Sequence, residues 1–290
     1  MSEGVSVVIP THDRPVALAR LLASIGPSEE LGIAAQVVIV DDGSATGTYD
    51  VLKTRYPQFH WIRQARAGPA IARNRGWHAA DGELIVFVDD DVVLDPHALA
   101  HLCHALTVDD AVGARIEPLH RGRILADFMH EEHLVSHKVQ DGRVRWLVTA
   151  CLAVRRSTLE LVGGFDEELT GAGGEDVDLS LRMKEMGLRL GVCQGAVAYH
   201  DHRAGLASLV RTYYRHGTGQ RRLAAQHQER RGDLIESTRT RLNPAAWRAT
   251  YRTYRQAEDR LTSVAFVALR AGMMVPWLVG AARGSARHGR

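Results

Sequence analysis

The sequence contains little cysteine, with three residues in 290, and no two of them form a CxxC pair. Their odd number and wide spacing argue against a disulfide framework and against a cysteine-ligated zinc site. No basic and apolar leader precedes the first strand-like segment, which begins at Val5. We therefore expect a cytoplasmic protein that carries no signal peptide.

Several widespread functional motifs are also missing. The sequence has no GxxxxGK[ST], no GxGxxG after a strand-like run, no GxSxG and no HExxH. These absences argue against P-loop nucleotidases, classical dehydrogenases, α/β-hydrolases and zinc proteases of the HExxH type. We recognise no nucleic-acid-binding motif and expect no nucleic-acid partner.

The overall composition is ordinary, but the charge is unevenly distributed. The chain is 45% hydrophobic and 24% charged, as is typical of globular proteins. Residues 1–202 hold 19 basic and 29 acidic side chains, a net charge of −10, whereas residues 203–290 hold 17 and 5, a net charge of +12. A basic tail suggests an anionic partner, which could be a lipid head group, a phosphate or a nucleic acid, although the tail contains no recognised nucleic-acid-binding motif. Attraction between the acidic and basic parts is the alternative explanation.

Short apolar runs alternate with helical patterns in the first half of the chain. Four runs have the length and composition of buried strands, at residues 5–10, 36–40, 60–64 and 83–88. Helical spacing or helix-start signals follow each run, including a proline, Pro69, at a position suited to a first helical turn. This alternation predicts βαβ units and an α/β domain with a mostly parallel sheet.

The second half has a less regular pattern. We expect strands at residues 113–118, 143–155 and 188–199, and a helix from about Glu175. Residues 122–142 show no clear β pattern and are expected to form a helical excursion or a loop. From Gly205 the chain is predicted to be helical to its end, with breaks at Gly232 and at Asn243-Pro244.

Acidic residues follow three of the predicted strands. They are Asp13, the pair Asp41 and Asp42, and the run Asp89 to Asp91. Ligands of open α/β sheets bind beyond the carboxyl ends of the strands. This edge of the sheet is therefore the predicted site.

The run Asp89-Asp90-Asp91 is the strongest single signal. In an extended strand, residues two apart point to the same side, so Asp89 and Asp91 would converge while Asp90 faces elsewhere. Two convergent carboxylates suit Mg²⁺ or Mn²⁺. The alternative is a solvated acidic turn that caps the next helix, although Asp95-Pro96 already serves that helix start.

Three further features carry possible chemistry. Glu175 and Asp176 stand at a predicted helix start behind glycines, where they could act as a general base or simply favour the helix N-terminus. His200 and His202 follow a strand, and either could complete a metal site. Arg73 lies in a helix-start segment, AGPAIARNRG, that resembles a phosphate-approach loop.

Taken together, six motifs resemble the family 2 glycosyltransferases with the GT-A fold, and bacterial rhamnosyl- and galactofuranosyl-type transferases in particular. In order, they are VSVVIPTHDRP, VVIVDDGS, ARNRG, VFVDDDV, GGFDE and GEDVDLSLRM. The resemblance covers roughly residues 5–202. It implies a GT-A catalytic domain at 1–202, with a nucleotide-sugar half at about 1–110 and an acceptor half at about 111–202, and a helical extension at 203–290.

The resemblance also implies an activity, which is transfer of a sugar from a nucleotide-diphosphate donor to an acceptor hydroxyl with inversion and with Mn²⁺ or Mg²⁺. A UDP-sugar is the expected donor, and the acceptor is expected to be a small molecule, a lipid-linked compound or a glycan of the cell envelope or of natural-product synthesis. A sugar-nucleotide nucleotidylyltransferase and a non-catalytic nucleotide-sugar-binding homologue are the alternatives.

Site roles follow from the same resemblance. Asp176 would be the base, with Glu175 as the alternate, and Asp89, Asp91 and His200 would hold the metal. His200 is preferred to His202 because it lies 24 residues after Asp176. The nucleotide-sugar site would be formed by Pro10, Thr11, Asp13, Asp41, Asp42, Arg73, Asp89 and Asp90, with Asp42 or Asp41 bonding the base.

The chain differs from processive polysaccharide synthases, because it lacks their QxxRW signature and their strong membrane-spanning segments. We therefore expect transfer of one or a few sugars. An apolar stretch at residues 264–282 has the length of a membrane span, but Arg270 lies in its middle and Pro276 interrupts it. Packing against the catalytic domain or against a second subunit is the expected role of this stretch. A helix at the membrane interface, giving peripheral contact, is the alternative.

Overall fold

The structure is a computed structural model. It describes residues 4–30, 35–132, 134–169, 173–202, 205–227, 247–248, 251–252, 254–255 and 259–284. The predicted breaks at Gly232 and Asn243-Pro244 lie outside these residues.

The first half of the chain forms the predicted alternation of strands and helices. Its elements are β1 (Val5–Thr11), α1 (Pro15–Glu30), β2 (Ala35–Asp42), α2 (Asp50–Arg55), β3 (His60–Gln64), α3 (Pro69–His78) and β4 (Leu84–Val88). Every residue of β4 is buried, as an apolar run in the middle of a sheet requires.

The second half contains shorter strands and the remaining helices. They are β5 (Val92–Leu94), α4 (Ala98–Ala105), β6 (Ala111–Pro118), α5 (Ile124–Glu131), β7 (Lys138–Gln140), β8 (Arg143–Trp146), β9 (Cys151–Arg155), α6 (Arg156–Val162), α7 (Glu175–Glu185), β10 (Leu190–His200), α8 (Leu206–Gln226) and α9 (Arg260–Gly284).

The prediction of one strand over residues 143–155 was wrong. The segment is divided into β8, which pairs with β7 in a separate hairpin, and β9, which enters the main sheet. The hairpin turns at Asp141 and Gly142, whose φ angles are 52° and 70°. An Asp-Gly pair in this conformation favours a tight hairpin, so β8 pairs locally instead of continuing into β9.

The main sheet has eight strands in the order β3-β2-β1-β4-β9-β6-β10-β5. Strands β1 to β4 are mutually parallel neighbours, and β6 is parallel to β10. Strands β9 and β5 run antiparallel to their neighbours. The predicted α/β architecture with a mostly parallel sheet is thus confirmed, and the antiparallel strands are confined to its second half.

Apolar side chains cover both faces of this sheet. Along β1, Val7 and Ile9 enter one buried cluster, whereas Val8 enters the other on the opposite face. This is the alternation that a strand covered by helices on both sides requires. Helix α3 approaches β1 closely at Gly76, where a Cβ atom would lie 2.3 Å from Cγ1 of Val8. At the other end of α3, the amide of Gly68 donates to Asp42 at the end of β2 over 2.9 Å, which places the start of the helix near the carboxyl ends of the strands.

By packing, the chain divides into two compact units. The first comprises Met1–His120, His133–Gly171 and Glu175–His202, and the second comprises Arg121–Glu132, Ala172–Gly174 and Arg203–Arg290. The second unit therefore includes α5 in addition to the tail helices α8 and α9.

Helices α8 and α9 of the second unit pack at glycines. A Cβ atom on Gly217 would lie 2.0 Å from the carbonyl oxygen of Trp277, and one on Gly280 would lie 2.1 Å from that of Tyr214. Glu132 accepts hydrogen bonds from Tyr213, from Tyr254 and, at 2.7 Å, from Nη1 of Arg270. The arginine in the middle of the apolar stretch is therefore neutralised by a buried carboxylate of its own unit.

Candidate active site

The acidic residues after the strands gather at one edge of the sheet. Strand β1 lies between β2 and β4 and is parallel to both, so their carboxyl ends point the same way. Thr11, the last residue of β1, pairs in register with Asp41, and Pro10 pairs with Val40. These residues lie on a common edge of the sheet, as their positions after the predicted strands indicate.

The three consecutive aspartates do not continue the strand. Strand β4 ends at Val88, and Asp89 to Asp91 form a turn in which the amide of Val92 donates to the carbonyl of Asp89 over 3.1 Å. The prediction that strand alternation separates Asp90 from its neighbours was therefore wrong. The chain turns here because β5 leaves β4 to pair with β10 at the far side of the sheet.

Arg14 joins two of the three aspartates. Its Nη1 donates to Oδ1 of Asp90 over 2.7 Å and to Oδ2 of Asp91 over 2.6 Å. Burial raises the pKa of Asp90 to about 6, although Arg14 opposes the shift. Burial would also raise the pKa of Asp91, but His200 and Arg14 outweigh it and hold that pKa below its usual value. Sequence reasoning missed Arg14, even though its position just after β1 was an available signal.

Two hydroxyl groups complete the surroundings of Asp90. Thr11 Oγ1 donates to Oδ2 of Asp90 over 2.7 Å and lies 2.8 Å from the Tyr49 hydroxyl. That hydroxyl also accepts from the amide of Arg14 over 3.1 Å. Asp90 is 5% exposed and is thus an anchor between β1, α1 and the turn. Tyr49 was also missed, because no motif marks it.

Asp13 links the loops that follow β1 and β2. Its backbone has a φ of 51°, a left-handed conformation that aspartate tolerates better than most residues. Its amide donates to Ser44 Oγ over 2.9 Å, and its Oδ1 accepts from the amide of Ala45 over 3.0 Å. The side chain is about half exposed, so it can also face a ligand.

Asp42 and Asp41 are both buried but have different partners. Asp42 accepts hydrogen bonds from Nε2 of Gln64 and from the amides of Ala67 and Gly68, over 2.7–2.9 Å. Its two oxygens are thus engaged in shaping the loop that leads to α3. Asp41 accepts from the amide of Ser44 over 2.9 Å.

Arg73 is buried between two acids from distant parts of the sequence. Its Nη2 donates to Oδ1 of Asp89 over 2.7 Å, and its Nη1 donates to Oε1 of Glu175 over 3.0 Å. Burial alone would lower the pKa of this guanidinium, but the two carboxylates raise it above its ordinary value. Arg73 therefore connects the aspartate turn to the start of α7.

Helix α7 begins at Glu175, as predicted, and carries acids throughout its first turn. Burial, followed by the charge of Glu175, raises the pKa of Asp176 to about 7. Oε2 of Glu175 is buried and has no hydrogen-bond partner. Asp176 can therefore exchange a proton near neutral pH, which is the property that a general base requires.

His200, at the end of β10, contacts the aspartate turn. Its Nε2 lies 3.3 Å from Oδ1 of Asp91. The pairing of β10 with β5, in which His200 lies opposite Val92, brings the histidine beside the aspartate turn. Burial would lower the pKa of His200, but the Asp91 carboxylate outweighs this effect and raises it. The ring of His202 lies 4.6 Å from that of His200, centroid to centroid. The Asp91 contact favours His200 as the histidine of the site.

Asp91 and His200 could supply part of the ligand set of a divalent cation. Among the described residues, no group of three or more His, Cys, Asp or Glu side chains is arranged to hold a metal ion. The pair of Asp91 and His200 offers one oxygen and one nitrogen, and Nδ1 of His200 is buried without a hydrogen-bond partner. Mg²⁺ and Mn²⁺ accept such partial sets, because substrate phosphates and waters supply the remaining ligands.

Comparison with known families agrees with this geometry. The family model described as Glycosyl transferase family 2 matches residues 6–147, and that described as Glycosyl transferase family group 2 matches residues 84–282. The chain belongs to the family 2 glycosyltransferases. Together the two matched ranges contain all the candidate site residues from Pro10 to His200.

Curated relatives are about a quarter to a third identical to this chain over the aligned residues. The pre-mycofactocin glycosyltransferase of Mycobacterium tuberculosis is 31% identical over 80% of this chain and 50% of its own length. The validoxylamine A glucosyltransferase of Streptomyces hygroscopicus subsp. limoneus is 27% identical over 71% of this chain and 54% of its own length. The chain thus spans about half the length of these relatives.

Solved structures share the fold. The mannosyltransferase PcManGT from Pyrobaculum calidifontis, in complex with GDP-Man and Mn²⁺, has a TM-score of 0.65 and 18% identity, covering 100% of this chain and 89% of its own. GalNAc-T7, with UDP, GalNAc and Mn²⁺, has a TM-score of 0.57 and 18% identity over 69% of this chain and 43% of its own. Both similarities concern the fold.

Proposed function

We propose that this chain catalyses transfer of a sugar from a nucleotide-diphosphate sugar to an acceptor hydroxyl, with inversion and with a divalent cation, one or a few sugars at a time. Family membership supports sugar transfer over the nucleotidylyltransferase alternative. The two structural neighbours were solved with a nucleotide or nucleotide sugar and Mn²⁺, which supports the donor class and the metal.

The connection made by Arg73 is the observation that carries this proposal. It ties Asp89, at the predicted donor edge, to Glu175, whose neighbour Asp176 has a pKa of about 7. A group that accepts a proton near neutral pH is thereby held close to the donor edge. A single carboxylate suffices for inversion, because the acceptor hydroxyl loses its proton as it attacks.

In the proposed mechanism, Asp176 takes the proton of the acceptor hydroxyl, and burial, followed by the charge of Glu175, keeps the pKa of Asp176 high. Thr11, Asp13 and the loop shaped by Asp42 would bind the nucleoside. Arg14 and Arg73 hold the aspartate turn in a fixed shape while the donor binds.

Asp91 and His200, with Asp89, would hold the cation. When bound, the cation would stabilise the negative charge that collects on the leaving diphosphate. Arg14 donates to Oδ2 of Asp91. Oδ1 of the same carboxylate faces His200 and is therefore the oxygen best placed for a cation.

A thermal-shift screen of nucleoside diphosphates with and without Mn²⁺ tests this assignment. We expect stabilisation by UDP or another nucleoside diphosphate only when the metal is present. Asp91→Asn should abolish the metal-dependent part of the shift. Asp141→Asn, a matched change of an exposed carboxylate in the β7–β8 turn, should leave it intact. An undiminished shift in Asp91→Asn would remove Asp91 from the metal site.

Product analysis tests the reaction itself. NMR of the first-formed product should show the anomeric configuration opposite to that of the donor sugar. Retention would contradict the proposal. Formation of a nucleotide sugar from a nucleoside triphosphate and a sugar phosphate would favour the nucleotidylyltransferase alternative, and donor binding without turnover across acceptor classes would favour a non-catalytic homologue.

A further inference from the structure

Helix α9 exposes a continuous apolar stripe. Its large members are Leu261, Val264, Val275, Leu278 and Val279, which are 83%, 53%, 63%, 44% and 44% exposed. Exposed Ala268, Ala271 and Ala282 fill the gaps between them. Steps of three and four residues place these positions on one side of a helix. We call this set the outer stripe.

The opposite side of α9 is fully occupied within its own unit. Phe266, Met273, Met274 and Trp277 are buried. Phe266 packs edge-to-face on Phe128 of α5 at 5.5 Å between ring centroids, and Arg270 is paired with Glu132. One side of α9 is thus packed against its own unit. The outer stripe lies on the opposite side of a helix that is held in place.

Exposed arginines lie at both ends of α9, together with one exposed acid, Asp259, just before its start. Arg260 and Arg283 are exposed at the two ends of α9, and Arg211 and Arg221 are exposed on α8. All 17 basic residues of the segment 203–290 are arginines, against five acids. The guanidinium group binds phosphate oxygens in pairs, so this surface complements phosphate groups in both charge and geometry.

We propose that the outer stripe and its flanking arginines dock this chain on an anionic phospholipid surface. The stripe would enter the boundary between head groups and acyl chains, and the arginines would pair with lipid phosphates. Exposure and charge in the second unit support this docking, which is independent of the proposed enzymatic function.

A position along the interface fits α9 better than a span across the bilayer. By length and composition α9 could cross a membrane, since residues 260–283 form a 24-residue stretch with a mean hydropathy of 1.7 in its most apolar window. However, Pro276 has no amide hydrogen to donate to the carbonyl of Gly272, and Gly272 is exposed. In hydrocarbon that carbonyl would be costly, whereas water and head groups at the interface can satisfy it.

Co-sedimentation with lipid vesicles tests the proposal. The purified chain should bind vesicles that contain phosphatidylglycerol at low ionic strength, bind phosphatidylcholine vesicles weakly, and be released by high salt or alkaline carbonate. The double substitution Val264→Glu and Val275→Glu should lower binding about tenfold or more, because it removes apolar burial as well as charge attraction. Arg260→Gln and Arg283→Gln should each lower it about fivefold.

A charge-matched control separates the stripe from net charge. Val16→Glu with Val51→Glu adds the same two negative charges at exposed apolar positions on α1 and α2, which are 75% and 79% exposed. This control should bind more tightly than the stripe variant, and circular dichroism should show that both are folded. Equal losses in the two variants, or equal binding to neutral vesicles, would overturn the proposal.

Two further outcomes would assign the stripe to another occupant. A vesicle-free dimer in sedimentation velocity that dissociates on Val264→Glu with Val275→Glu would identify a second copy as the partner. Resistance of the bound chain to carbonate extraction would identify a span instead of a docked helix. Either result would replace the lipid-docking proposal.

Discussion

The substitution Asp176→Asn should abolish transfer and yet stabilise the fold at neutral pH. Asparagine keeps the size of the side chain and an oxygen that can accept from the amide of Val177, an interaction of 2.8 Å. It cannot ionise beside Glu175. A residue whose removal raises stability while it destroys activity is one retained for its chemistry.

The magnitude follows from the pKa. In the folded protein the pKa of Asp176 rises from 3.8 to about 7, because burial and the charge of Glu175 disfavour its ionised form. At about 1.36 kcal/mol for each pKa unit, ionising Asp176 costs about 4 kcal/mol more in the folded protein than in the unfolded chain. The side chain keeps some contact with solvent, which reduces this cost, so we expect a gain of about 1–3 kcal/mol for the variant.

The pH dependence has a definite sign. Because the folded pKa lies above the unfolded one, the unfolded chain releases this proton first as the pH rises. The wild type is therefore progressively destabilised relative to the variant between about pH 4 and pH 7, and the difference is constant above that range. The gain of Asp176→Asn should be small near pH 4.5 and complete near pH 8.

Urea unfolding of the metal-free protein at several pH values measures this gain directly. The wild-type kcat/KM should rise with pH through an apparent pKa near 7 if metal and donor leave the environment of Asp176 unchanged. Asp141→Asn serves as a control, because its carboxylate is exposed, and should show neither effect. A gain of equal size at every pH, or retained turnover in Asp176→Asn, would refute the assignment of Asp176 as the base.

Two other predictions concern packing. Arg73→Gln should destabilise the fold by about 3 kcal/mol in urea unfolding, because it leaves the buried Glu175 and the partly buried Asp89 without their cation. Arg75→Gln, an exposed change on the same helix, should cost little, and equal costs for the two variants would show that the ion pairs of Arg73 contribute nothing specific. Gly217→Ala should lower the melting temperature, because its Cβ would meet the carbonyl of Trp277 at 2.0 Å, whereas Gly272→Ala, in open space on α9, should raise it slightly. Similar shifts for the two glycine variants would contradict the close contact between α8 and α9.

The turn at Asp89 to Asp91 shows where sequence patterns stop being sufficient. The run VFVDDDV reads as a strand followed by acids, and this much is correct. Its internal geometry depends on β5 pairing with β10, a partner more than one hundred residues away in the chain. No local pattern reports that pairing, so the alternation of side chains could not be extended into the turn.

Arg14 and Arg73 illustrate the same limit in the site. Both lie in motifs that the sequence singled out, but their partners could not be read from spacing. Arg73 meets Glu175, which is 102 residues away, and Arg14 meets Asp90, which is 76 residues away. The sequence suggested that a metal cation neutralises the negative charge of the three neighbouring aspartates. In the fold, the guanidinium groups of Arg14 and Arg73 already pair with these carboxylates.

The sequence by itself determined the α/β alternation, the common edge of the acidic residues and the helix start at Glu175, because each depends on local periodicity or on the direction of parallel strands. The tertiary structure alone decided which charged side chains pair, which carboxylate oxygens of the site can still bind a ligand, and which side of α9 stays exposed. Those properties depend on contacts between distant segments and on burial, since burial controls both the pKa of Asp176 and the cost of leaving a charge unpaired.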